Sequence, residues 1–163
     1  MDKALQDVFN QQIGHELYSS NLYLAMSAWC GSQNLPGFAS WLMTQANEER
    51  GHALKLLEHL VDRGGAPAIP AVPAPPAAWD SVAHVFRQVA EHEKKVTGLF
   101  HRLHEAALSA KDYAAQVELA WFVKEQVEEE KSAEQWAAHL AMVGDKSAAI
   151  LNLDHRAGKR GGS

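Results

Sequence analysis

Apolar residues recur every three or four positions along almost the whole chain, and no stretch sustains the two-residue alternation of a half-buried strand. The pattern predicts four long helices and a short fifth. The first runs from about Asp2 to Cys30 and stops near Gly31. The second starts after Pro36, a residue favoured in the first turn, and ends at Gly64-Gly65. The third opens at Asp80 or Ser81, both good N-caps, and ends near Lys111. The fourth spans about Asp112 to Val143 and is stopped by Gly144; the fifth spans Lys146 to His155. Residues 1–155 therefore read as one helical domain, and the Gly-rich residues 156–163 as a flexible tail.

The links between these segments decide the topology. Helices one and two, and helices three and four, are joined by a few residues each, which makes them antiparallel neighbours. Between helices two and three, residues 64–79 contain Pro67, Pro70, Pro73, Pro75 and Pro76. A Pro-rich stretch of that length reaches roughly 50 Å. A helix of about 27 residues is roughly 40 Å long. The linker can thus run the length of a bundle and leave the third helix parallel to the second. The expected fold is all-α: a four-helix bundle of two antiparallel helix pairs with one long crossover, plus a short fifth C-terminal helix.

At about 100° per residue, each long helix places a carboxylate in the middle of its apolar stripe. Glu16 shares a face with Leu5, Phe9 and Tyr23; Glu49 with Phe38, Leu42, Leu56 and Leu60. Glu93 shares one with Val82, Phe86 and Phe100; Glu129 with Phe122, Trp136 and Leu140. Unpaired carboxylates in a core are costly, and two close together repel. Inward Lys or Arg residues to match them are missing, so a metal site is the natural solution. Glu16 to Glu49 is 33 residues, and Glu93 to Gln126 is also 33. Residues three apart on a helix point the same way, so Glu49 and His52 can serve one metal, as can Gln126 and Glu129. Carboxylates with an imidazole suit iron or manganese, and the lack of thiolates argues against structural zinc.

Composition narrows the setting. The 163 residues are enough for one domain with a core, and 47% are apolar without a run near the ~18 residues a membrane span needs. A secretion signal is not expected at the N-terminus, and the single Cys30 fits a reducing cytoplasm. The net charge of −5 speaks against nucleic acid as a partner. Cys30 reads as a small apolar residue. His15, His84, His92, His101, His104 and His139 read as surface or core filling.

The inward Glu and Glu-x-x-His pattern is the known signature of ferritin-like carboxylate proteins. The chain resembles the bacterial non-haem ferritins from Ala4 through the fifth segment. The resemblance is carried by Glu16, the run Tyr23-Leu24-Ala25-Met26-Ser27, the run Asn47 to His52, and the run Glu125 to Glu130. It implies a di-iron centre in which Glu16, Glu49 and His52 hold one iron, and Glu49 bridges to a second held by Glu93 and Glu129. Gln126 is then a hydrogen-bonding neighbour. Tyr23 is either an electron or hydrogen-bond donor or simple packing, and Trp121 an additional electron donor or packing in the same way. Glu48, Glu125 and Glu128, with Glu129, match a third iron site found in some bacterial ferritins; the alternative is a solvated acidic face. Bacterioferritins resemble the chain too, but carry a haem-binding Met where Arg50 stands and a His where Glu129 stands, so haem is not expected.

The implied activity is ferroxidation of Fe(II) by O2 or H2O2, with mineral stored in a homo-oligomeric shell of 24 subunits. A fifth helix carrying Ile150, Leu151 and Leu153 fits such a shell. The alternative is a cage-free di-iron oxidase or peroxidase. The rubrerythrin type of that class would bring a Cys-x-x-Cys domain, which one cysteine cannot supply. DNA-protecting mini-ferritins are similar only loosely, and a metal-free scaffold leaves four buried acids unexplained.

Overall fold

The computed structural model describes residues 1–161. Its helices are α1 (Lys3–Ser32), α2 (Pro36–Asp62), α3 (Val82–Ser109), α4 (Tyr113–Val143) and α5 (Ser147–Ala157), followed by a 3-10 turn at Gly158–Gly161. Local chemistry sets most of these limits. The Asp2, Ser81 and Asp112 side chains accept the N–H groups of Leu5, His84 and Ala115, capping α1, α3 and α4. The helix α1 runs past Gly31, whose place inside a helix costs only about 1 kcal/mol. It turns instead at Asn34, which takes the left-handed conformation with φ 61°.

The N-terminus of α2 has no cap from its own flank. Its cap comes from α5: the Asp154 carboxylate accepts the Gly37 N–H at 3.1 Å and the Phe38 N–H at 2.8 Å. A Cβ at Gly37 would run into the Asp154 backbone carbonyl, so only glycine lets the two helices approach this closely.

The Pro-rich segment follows α1 from end to end. Near its start, Ala66 and Ala68 exchange hydrogen bonds with Gln6 and Asn10. Further on, Pro70 lies against Gly14, and Trp79 meets the Trp29 ring edge-on with centroids 6.1 Å apart. The segment therefore leaves the end of the bundle where α2 stops and returns to the end where α2 begins, which makes α3 parallel to α2. A forked pair from Arg63 to Asp112, at 2.8 and 3.0 Å, ties the end of α2 to the start of α4.

Two apolar cores fill the bundle. One contains Tyr23, Met26, Phe38, Trp41, Leu42, Val85, Phe86, Val89 and Leu140, and α5 closes it with Leu153 and Ala157. The other contains Leu5, Phe9, Ile13, Leu56, Leu60, Val96, Phe100, Leu119 and Phe122. Burying each such large side chain contributes about 1.5–3 kcal/mol. The layer between them is polar, and every long helix contributes to it. Among the described residues, no helix is long and apolar enough to cross a membrane.

The C-terminal segment departs from the expected tail at 156–163. Arg156 and Ala157 continue α5, Ala157 is buried, and Arg160 of the 3-10 turn bonds to α2. Glycine content suggested mobility, but the chain here is held by contacts with α2, more than a hundred residues earlier. Residues 162–163 of the expected tail lie outside the described residues.

Candidate metal centre

The polar layer consists of Gln12, Glu16, Ser19, Gln45, Glu49, His52, Glu93, Gln126 and Glu129, all buried. Among the described residues no Lys or Arg is buried, so four carboxylates share this layer with one imidazole. Asp154, the other buried acid among the described residues, has the α2 N-terminus as partner. The four in the layer have only the His52 imidazole among them.

In the first half of the layer, His52 Nδ1 lies 3.3 Å from Glu49 Oε2 and 3.4 Å from Glu16 Oε2. Gln12 donates to Glu16 Oε1 at 2.7 Å, and Glu16 Oε2 has no hydrogen-bond partner among the described residues. A buried carboxylate oxygen left this way marks a place for a cation. In the second half, Glu93 accepts hydrogen bonds from the Tyr23 hydroxyl and, at 3.1 Å, from Gln126 Nε2. Gln126 also reaches Thr97 Oγ1 at 3.2 Å. Gln45 Nε2 donates to Glu129 Oε2 at 2.6 Å and to Glu49 Oε1 at 3.5 Å.

The electrostatics follow from crowding acids out of water. Burial, reinforced by the charges of Glu49 and Glu129, pushes the Glu93 carboxyl up to about 8. Burial and the Glu49 charge push Glu129 up to about 7 against the pull of the Gln45 hydrogen bond. Glu49 also rises to about 7, chiefly through burial, with Glu16 adding to the rise and His52 opposing it. For His52, burial disfavours the charged ring, but the two carboxylates facing it, Glu16 and Glu49, outweigh that and raise the group to about 11. Burial and Glu93 hold the Tyr23 phenol well above its usual value.

Two sets of donor atoms fall within 4.8 Å of one another at the heart of the layer: Glu16, Glu49 and His52, and Glu49, Glu93 and Glu129. Glu49 belongs to both. All-oxygen and imidazole donors, two adjacent sets sharing a carboxylate, and surplus negative charge together fit a pair of iron ions.

The comparisons with known proteins agree with this geometry. The ferritin-like domain of the ferritin family matches residues 6–143. The chain belongs to the ferritin family. It is similar to the bacterial non-heme ferritin of Bacteroides fragilis strain 638R, with 38% identity over 98% of this chain and 99% of that one. The bacterial non-heme ferritin of Staphylococcus aureus strain USA300 is 36% identical over 98% of this chain and 96% of that one. Among solved structures, the open pore ferritin from the hyperthermophilic archaeon Archaeoglobus fulgidus superposes with a TM-score of 0.97 at 39% identity, covering 98% of this chain and 99% of that one.

A third donor set in this ferritin differs from the one the sequence suggested. It consists of His52, Glu125 and Glu129. Glu48 is not in it; Arg160 Nη2 donates to Glu48 Oε2 at 2.8 Å. Glu128 is not in it either: its side chain is 70% exposed and faces Lys131 at 3.9 Å. Tyr23 is buried and bonded to the centre, whereas Trp121 is 41% exposed, with its ring 5.6 Å from that of His52. Sequence reasoning missed Gln12 and Gln45. Each stands four residues before a ferritin acid, Glu16 or Glu49, and so on the same helix face; that spacing was a usable signal.

Proposed function

We propose that this ferritin oxidises Fe(II) at the paired clusters inside each bundle and stores the product as Fe(III) mineral. The observation that carries the reading is Glu49, a buried carboxylate shared by two adjacent donor sets. Glu16 and His52 would complete the holding of one Fe(II), and Glu93 and Glu129 that of its neighbour. Both ions are substrates, and each gives up one electron; O2 or H2O2 takes up the pair. Hard anionic oxygens stabilise Fe(III) over Fe(II), so the carboxylates favour the oxidised product.

The protein's own groups manage the charge. Protons held by His52 and by the raised carboxyls leave as the cations enter, which keeps the layer near neutrality. Gln126 and Tyr23 orient Glu93, and Gln45 orients Glu129. Glu125, with His52 and Glu129, supports a third iron position beside the pair. The reading extends to a hollow homo-oligomeric shell of 24 subunits in the cytoplasm. The half-buried Ile150 and the exposed Leu151 of α5 offer apolar surface for neighbouring copies.

The test is to add Fe(II) aerobically to the purified protein while following ferric absorbance, and to measure its mass by analytical ultracentrifugation. Rapid oxidation by a particle of 24 chains supports the reading. Oxidation by a species that stays dimeric at every concentration would leave a cage-free oxidase, and absence of oxidation would remove the ferroxidase reading.

A further inference from the structure

The 3-10 turn after α5 brings a guanidinium to the metal centre. Arg160 Nη1 donates to Gln45 Oε1 at 2.9 Å, Nη2 donates to Glu48 Oε2 at 2.8 Å, and its Cζ lies 4.7 Å from the centroid of the Trp41 ring. Positions 41, 45 and 48 form one stripe of α2. A planar, forked cation can meet an aromatic face, an amide and a carboxylate along such a stripe, which the ammonium of Lys cannot do at once. An exposed Arg–Glu pair alone would contribute little. This one differs in what lies behind it. Gln45 is buried, and its other end donates to Glu129, a member of both the second and the third donor sets.

With its oxygen turned to Arg160, the Gln45 amide presents its NH2 to Glu129. The turn thus acts on two acids: directly on Glu48, and through Gln45 on Glu129. Glu48, next in the chain to the shared ligand Glu49, is thus engaged by Arg160.

We infer that Arg160 is a positioning residue of the metal centre, holding Glu48 and Glu129 in hydrogen bonds that compete with a cation at the His52, Glu125 and Glu129 set. The C-terminal turn thereby sets how readily a third metal ion binds beside the pair. This rests on the reading of the clusters as metal sites, and the first two equivalents of metal report on that reading separately.

The experiment is an anaerobic calorimetric titration of the full-length assembled protein with Co(II), for wild type, R160A, R160K and the double variant R160A/E48Q. The first equivalent, at the Glu16, Glu49 and His52 set that lacks Glu129, should bind alike in wild type and R160A. The third should bind about tenfold more tightly in R160A, the size of a lost charge-assisted bond. R160K should recover part of the wild-type value, because it restores a cation for Glu48 but not the fork. The gain should shrink in R160A/E48Q, where only the route through Gln45 to Glu129 is left, which a merely structural role for the turn would not produce. A third equivalent that binds equally or more weakly in R160A, or a gain that persists fully in R160A/E48Q, would overturn the proposal. Failure of wild type to bind the first two equivalents would overturn the metal-centre reading, and this proposal with it.

Discussion

The α1–α2 and α3–α4 halves of the centre share one spacing and differ in how they neutralise their acids. In the first half an imidazole stands between Glu16 and Glu49, and each acid has an amide donor four residues before it, Gln12 or Gln45. The second half has no basic group. Glu93 has a phenol and an amide, and Glu129 borrows Gln45 from the other half. The first half thus carries its own counter-charge when metal is absent, whereas the second retains protons near neutral pH. The lesson is that two halves of equal spacing can hold two unequal sites, one partly neutralised by the protein's own imidazole and the other by protons or the incoming cation.

The largest effect should come from the residue common to both halves. Glu49→Ala should slow the initial ferric absorbance change in stopped flow by about a hundredfold or more, at or above the upper range for losing only a hydrogen-bonding partner of a metal ligand. His52→Ala and Glu129→Ala, each confined to fewer of the pair's contacts, should lie between that variant and wild type. Equal rates in all four proteins would break the comparison at its root.

Opposite changes in metal-free stability should come next. Glu93→Gln removes a carboxyl whose charged form is disfavoured, and at pH 8 it should stabilise the metal-free protein by about 2 kcal/mol. His52→Gln leaves Glu16 and Glu49 without a cation and should destabilise it by about as much. Thermal melts of the chelated proteins read both. Shifts of the same sign would mean that the halves are neutralised alike.

The pH dependence follows from the same shifts. Glu49, Glu93 and Glu129 sit above the ordinary 4.5 in the fold, so their contribution is full below that value and lost as pH rises through about 7 to 8. That of His52 is full below 6.5 and lost as pH rises through about 11. The metal-free protein should therefore lose stability from pH 5 to pH 9, more steeply than the Zn(II)-loaded protein. The Glu93→Gln variant should flatten part of that slope. Melting temperature against pH, with and without Zn(II), checks both statements.

The smallest effect should be that of Tyr23→Phe, which takes one hydrogen bond from Glu93. It should slow oxidation by about fivefold, the size of a single buried hydrogen bond. An unchanged rate would leave Tyr23 as packing alone.

Much of this was legible in the chain because helical periodicity and capping are local. Ser81, Asp112 and Gly144 mark helix ends by their own chemistry, and the proline spacing of residues 64–79 carries the crossover. Acids on apolar stripes pointed inward for the same reason. What escaped depends on distances between helices. The third set takes Glu125, while Glu48 and Glu128 have other neighbours: Arg160 engages Glu48, and solvent takes Glu128. The docking of Arg160 onto Trp41, Gln45 and Glu48 joins segments more than a hundred residues apart, and a Gly-rich composition concealed it. The Asp154 cap on α2 is of the same kind, a local need met by a remote residue.

An anomalous-scattering map of crystals soaked anaerobically in Fe(II) tests the central claim most directly. Two strong peaks inside each bundle are predicted, one among Glu16, Glu49 and His52 and the other among Glu49, Glu93 and Glu129, with Glu49 touching both. Iron confined to the surface, or a single interior peak that does not touch Glu49, would contradict the account.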